Sequence, residues 1–304
     1  MAGGGPQGGT IGLLEYLAQS NDCADFADVK DRFRFLDDLS LLEIVNLLSV
    51  GLASHNVSRQ IPSNIASHNQ FIAPENLKSQ DWLNRLNQWT KASKMKINET
   101  KTKTMIFNYS KKYQFTTELK IEDEPIEVID QTRLLGTIIT SDLKWDANCK
   151  NIIKKVNARM ALLRKVSKFG AGIEDLKTIY ILFIRSLLEQ SATVWHSSLT
   201  NDNTKDLERV QKTALRIILG NRYKSYTNAL NILNLQSLSD RRRSLCLNFA
   251  KKSAIHPKFK HNFPLNEKSH RMKLRKIEKF KVFRAFSARF RKSSIIYMQK
   301  LLNQ

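Results

Sequence analysis

Apolar positions recur every second residue in parts of the first 140 positions and every three to four residues beyond residue 146. The chain therefore reads as strands early and helices late. Phe33 and Phe35 alternate with Arg34 and Leu36, and Leu39 and Leu41 flank Ser40, a period of two that predicts strand, tight turn, strand around Asp37 and Asp38. Pro62 and Pro74 mark a loop. A helix follows in which Trp82, Leu86 and Trp89 share one face, Leu83 widens the stripe, and the tryptophans are expected in the core. Further strand-like runs cover residues 104–107, 119–121, 126–129 and 134–139.

From residue 146 to 220 three apolar stripes at helical spacing are expected. They are Ile153, Val156, Met160, Leu163; then Leu176, Ile179, Phe183, Leu187; then Leu207, Val210, Ala214, Ile217. Gly170 and Gly172 separate the first from the second. Phe283, Phe286 and Phe290, spaced by three and four, predict an amphipathic helix docked on the preceding helices, with nucleobase stacking as the other reading. The fold class is α+β, in three parts: residues 1–140, 141–222 and 223–304.

Charge sharpens this picture. The 304 residues carry a formal net charge of +22, which points to a polyanionic partner, nucleic acid before a membrane surface. The first helical segment opposes its apolar stripe with Lys150, Lys154, Lys155, Arg159, Arg164, Lys165 and Lys168, and so few acids interleave that phosphate binding is favoured over a merely solvated face. Arg241, Arg242 and Arg243 form a second cluster, and from Lys251 onward sixteen Lys and Arg face only Glu267 and Glu278. A basic import signal around Lys273 to Lys276 is compatible with that tail. A hydrophobic fraction of 41% is enough for a folded core, and no run is long and apolar enough to span a bilayer. Three isolated cysteines, no signal-like start and no metal-ligand spacing with the six histidines predict an intracellular protein, not a secreted one.

Candidate chemistry is concentrated in four short segments. They are the glycine-dense Gly3 to Gly12 with Pro6, Gln7 and Gly8, the turn Phe35 to Asp38, the segment Asn98 to Thr102, and Leu134 to Gly136. Two adjacent carboxylates repel unless a cation neutralises them, and hard oxygens suit Mg2+. In this order the segments resemble the reverse transcriptases of non-LTR (LINE-type) retrotransposons: a Pro-Gln-Gly motif, an aromatic-x-Asp-Asp turn, an Asn-x-x-Lys-Thr motif and a primer grip. The resemblance runs from Gly3 to about Gly220 and includes Leu207 to Lys212.

The resemblance implies a partial polymerase palm, an antiparallel sheet with packed helices over residues 1–140, then a three-helix thumb and a basic helical tail. It implies RNA-directed DNA polymerisation with Mg2+ or Mn2+, an RNA template, a DNA primer and deoxynucleotides, in a nuclear or cytoplasmic ribonucleoprotein. Asp37 and Asp38 would be catalytic metal ligands, Asp37 the more direct. Pro6, Gln7, Gly8 and Phe35 would contact the substrate, and Leu134, Leu135 and Gly136 the primer. Lys101 would meet the leaving pyrophosphate, or else be a structural lysine on a turn. The enzymes resembled carry a further catalytic aspartate ahead of the Pro-Gln-Gly motif, where this sequence has only Met1 and Ala2. A truncated element copy, inactive alone, is therefore expected, with a nucleic-acid-binding module or a non-functional remnant as the alternatives.

Overall fold

A computed structural model describes residues 32–35, 38–41, 69–71, 77–108, 114–266 and 279–304. These form an α+β protein in two compact units, Met1–Gln131 and Thr132–Gln304.

In the first unit the expected hairpin forms. Strands β1 (Arg32–Phe35) and β2 (Asp38–Leu41) pair antiparallel with Phe35 opposite Asp38. Strand β3 (Asn69–Phe71) pairs in parallel with β4 (Gln114–Thr116). Helix α1 (Lys78–Ala92) buries Trp82, while Trp89 is half-buried; Asp81 in its first turn and Lys91 in its last suit the helix dipole. It packs on the tight hairpin of β5 (Lys120–Ile121) and β6 (Glu124–Pro125), where Leu77, Leu119, Ile121 and Ile126 make a small core with Leu83 and Ile97. The Gln80 amide substitutes for a strand here: its Nε2 donates to the Lys120 carbonyl at 2.8 Å and its Oε1 accepts from the Lys120 N–H at 2.9 Å.

Three strand expectations need correction. Residues 104–107 and 126–129 contribute only a single parallel bridge, Thr104 with Val128. The described strands form four separate two-stranded pairs, not one antiparallel sheet. The run 134–139 is not one strand either. Leu135 and Gly136 both adopt positive φ (46° and 84°), which folds the chain into a hairpin of β7 (Gln131–Leu134) and β8 (Thr137–Thr140).

The second unit is built around α2 (Asp146–Lys168) and α6 (Asn201–Leu219). Between them run α3 (Ile173–Ile179), a π-helical turn (Tyr180–Arg185), α4 (Ser186–Glu189) and α5 (Ala192–Trp195). Helix α2 buries Ile152, Val156, Met160 and Leu163, close to the expected stripe, with Ile153 at its margin. The second stripe is instead Leu176, Tyr180, Ile184, Leu188, and Phe183 is 49% exposed. A strict four-residue repeat drifts around an α-helix of 3.6 residues per turn, and the wider π-turn keeps it facing the core. In α6 the core residues include Leu207, Val210, Ala214, Leu215 and Ile218.

Buried polar groups are chained together at this core. The Tyr180 hydroxyl donates to Gln211 Oε1 at 2.7 Å, and Gln211 Nε2 donates to the Gln236 carbonyl at 2.8 Å. Helices α6, α7 (Tyr226–Ile232) and α8 (Leu238–Ile255) start where Thr200, Ser225 and Ser237 accept from the N–H three residues on. Ala229, Leu233 and Leu238 enter the same core as α2, so residues 141–222 and 223–304, expected as separate parts, share one unit.

The aromatic helix expected at Phe283 to Phe290 is also corrected. The docked helix is α10 (Ser294–Leu302), preceded by the single turn α9 (Ala288–Arg291); it buries Ile296, and packs Met298 and Leu301 against Cys246, Ala250 and Phe263. Residues 280–283 run along it without helical structure, because Gln299 and Asn303 pin their backbone. Phe283 N–H donates to Gln299 Oε1 and Phe280 N–H to Asn303 Oδ1, each at 2.9 Å. Phe286 is 81% exposed.

Candidate nucleic-acid interface

The expected polymerase residues fall partly outside the described residues: Pro6, Gln7, Gly8 and Asp37 lie there. Asp38 opens β2 opposite Phe35, the last residue of β1. Asn98 to Thr102 is a tight turn organised by Asn98. Its Oδ1 accepts from the Lys101 N–H at 3.1 Å and the Thr100 hydroxyl at 2.8 Å, and its carbonyl accepts from the Thr102 N–H at 3.0 Å. The turn uses the backbone of Lys101, and the Lys101 side chain is exposed, available for an anion.

Leu134, Leu135 and Gly136 form the β7–β8 tip, with Leu134 38% and Leu135 52% exposed. The turn is braced by Gln190, whose Nε2 donates to the Leu135 carbonyl at 3.4 Å. Its base is fixed by Asn148, whose Oδ1 accepts from the Ile138 N–H at 3.1 Å. Neither support stood out in the sequence, since both are polar residues within helix-period segments.

The basic face of α2 carries two clusters on one side of the helix, Lys150 with Lys154 and Arg164, Lys165 with Lys168, separated by Asn157, Ala158 and Ala161. At 3.6 residues per turn Lys150, Lys154, Arg164, Lys165 and Lys168 fall within an arc of about 100°, opposite the buried side. All five are exposed and, among the described residues, none is in a salt bridge. The other two expected contacts leave this arc. Lys155 is half-buried on the flank, and Arg159 is committed to structure, its Nη1 donating to the Phe183 carbonyl of the π-turn at 2.6 Å.

The Arg241–Arg243 cluster must be corrected. Arg242 is wholly buried, because the helix period turns it inward between two neighbours that stay outside. Its Nε donates to His196 Nδ1 at 3.4 Å, its guanidinium lies 5.7 Å from the Trp195 ring, and Nη1 and Nη2 have no hydrogen-bond partner among the described residues. It meets no phosphate there. Burial, then the Arg242 charge, pushes His196 down to about 4, and burial pushes the Cys149 thiol up to about 12. Arg241 Nε sits 3.2 Å from Glu189 Oε1, which also holds Arg185 at 3.1 Å. Arg243 bonds the Gln304 side chain.

Among the described residues no group of three or more His, Cys, Asp or Glu could hold a metal, and no helix is long and apolar enough to cross a membrane. Comparison of the chain with family models, curated proteins and solved structures gave no match.

Proposed function

We propose that this chain is the palm and thumb portion of a LINE-type RNA-directed DNA polymerase, and that it holds a primer–template through the basic face of α2. The observation that carries the reading is the row Lys150, Lys154, Arg164, Lys165, Lys168, exposed and without acidic partners among the described residues. Cations left unpaired along about 27 Å of helix release counterions when phosphates replace them.

The polymerase part of the proposal rests on the four motifs in order. By the resemblance, Asp37 and Asp38, adjacent hard carboxylates in the sequence, are the residues that would hold Mg2+. Mg2+ held by them would supply charge stabilisation for attack of a primer 3′-hydroxyl on a nucleotide α-phosphorus with loss of pyrophosphate. Lys101, exposed on its Asn98-bound turn, would neutralise or protonate the pyrophosphate. The Leu134–Leu135 tip, rigid through Gln190, would press on the primer end. A binding module without chemistry explains the α2 charge equally well, and nucleotide incorporation separates the two.

The test is binding of a labelled RNA–DNA primer–template across a salt series, comparing wild type with K154Q/K168Q. The substitutions should weaken binding and flatten the salt slope by about 1.8, at 0.9 per phosphate. Equal slopes would remove α2 from the interface.

A further inference from the structure

A second basic row lies on α6. Lys205, Arg209, Lys212 and Arg216 follow one another at four, three and four residues, within an arc of about 60° and along about 16 Å of helix. They line a groove of about 600 Å³ walled on the far side by Ser239 in the first turn of α8. Two of the four are held in place by aromatic rings: Lys212 Nζ stands 5.1 Å from the Tyr226 ring centroid and the Arg216 guanidinium 5.2 Å from that of Tyr223. Glu208, the acid within the groove, has one oxygen engaged, Oε1 accepting from the Tyr226 hydroxyl and from the Leu238 N–H, while its Oε2 is buried with no hydrogen-bond partner among the described residues. The Tyr226 bond fixes the ring under Lys212. Lys205 and Arg209 carry only exposed pairings, to Asp202 at 4.0 Å and Asp206 at 2.9 Å, of a kind that exchanges readily for another anion.

We propose that this groove is a second nucleic-acid site, which takes the phosphate backbone of a single strand. The inference rests on the reading of the chain as a nucleic-acid-binding protein. Cations strung out at one per helical turn suit a linear polyanion, whereas a compact anion needs side chains that converge. One row bounded on one side by Ser239 meets one backbone, not the two of a duplex. Ring-backed cations are partly immobilised before binding, which lowers the entropy lost on contact.

The experiment uses the full chain and a fluorescent oligothymidine, with anisotropy read over a salt series. K212Q/R216Q should bind about tenfold more weakly at low salt, with a slope flatter by about 1.4, at 0.7 per phosphate of a single strand. Its thermal midpoint should match wild type. If that variant is unstable, K205Q/R209Q, on exposed positions, should show the same change. Unchanged affinity and slope in a folded variant would overturn the proposal, as would polyglutamate displacing the oligonucleotide at equal charge concentration. If K154Q/K168Q loses primer–template binding while K212Q/R216Q keeps wild-type single-strand binding, this inference fails alone. If the wild type binds neither nucleic acid at low salt, both readings fail.

Discussion

The side-chain amide of Gln190 fills the place where a Cβ on Gly136 would stand: a Cβ built there would lie 2.6 Å from Gln190 Nε2. Gly136 has φ +84°, so a side chain at this position meets both backbone strain and a bracing group. Gly136→Ala should cost about 1 to 2 kcal/mol in urea unfolding. Gln190→Ala should relieve part of that cost in the double variant, because the contact is shared. Additive losses would show that Gln190 does not brace the turn.

Arg242 supplies a control for the basic surface. Its guanidinium is buried, so Arg242→Met should leave the salt slope of nucleic-acid binding unchanged, in contrast to K154Q/K168Q. Stability should be held or raised, since a buried charge with two unpartnered nitrogens is exchanged for an apolar chain. A slope flattened by about one phosphate would place Arg242 at the interface after all.

Acid should loosen the second unit through His196. The imidazole faces Arg242 from α8 and the Tyr297 ring from α10, at 5.7 Å between centroids, and its folded value of about 4 lies below the ordinary 6.5. A depressed histidine value favours the neutral form in the fold. The stability it contributes is full above pH 6.5 and is lost as pH falls toward 4, on the order of 2 kcal/mol after allowance for solvent screening. Urea midpoints from pH 8 to 4 should decline in that window, and His196→Asn should flatten the decline. An unchanged profile in the variant would assign the acid sensitivity elsewhere.

The C-terminal segment should depend on an amide, not on its aromatics. Gln299 is fully buried, donates to the Asn262 carbonyl at 2.8 Å and accepts from Phe283. Gln299→Ala orphans both partners and should cost about 2 to 4 kcal/mol. Phe286→Ala, at an exposed position, should change stability by less than about 0.5 kcal/mol. Equal losses would restore the docked aromatic helix.

These outcomes show where periodicity is informative. The α2 and α6 stripes were legible because an uninterrupted α-helix repeats its contacts at 3.6 residues, and the β1–β2 pairing because apolar residues alternate in both strands. The stripe at Leu176 to Leu188 was misplaced by one position, since a π-turn changes the period locally. The spacing of Phe283 and Phe286 mimicked a helix because side-chain amides on α10, remote in sequence, satisfy that backbone instead. Arg242 was read with Arg241 and Arg243 as one cluster, although consecutive helix positions point about 100° apart. Of the residues the motifs singled out, Asp38, Asn98, Lys101 and Leu134 to Gly136 lie within the described residues. The supports Gln190 and Asn148 emerged only from the hydrogen bonds.

The proposed assignment stands or falls most directly on the salt dependence of primer–template binding by the wild-type chain. With about six phosphates neutralised, log affinity should fall against log salt with a slope near −5, and binding should collapse between 50 and 200 mM salt, concentrations over which such contacts lose roughly three or more orders of magnitude. A slope near zero, or no binding at the lowest salt, would contradict it.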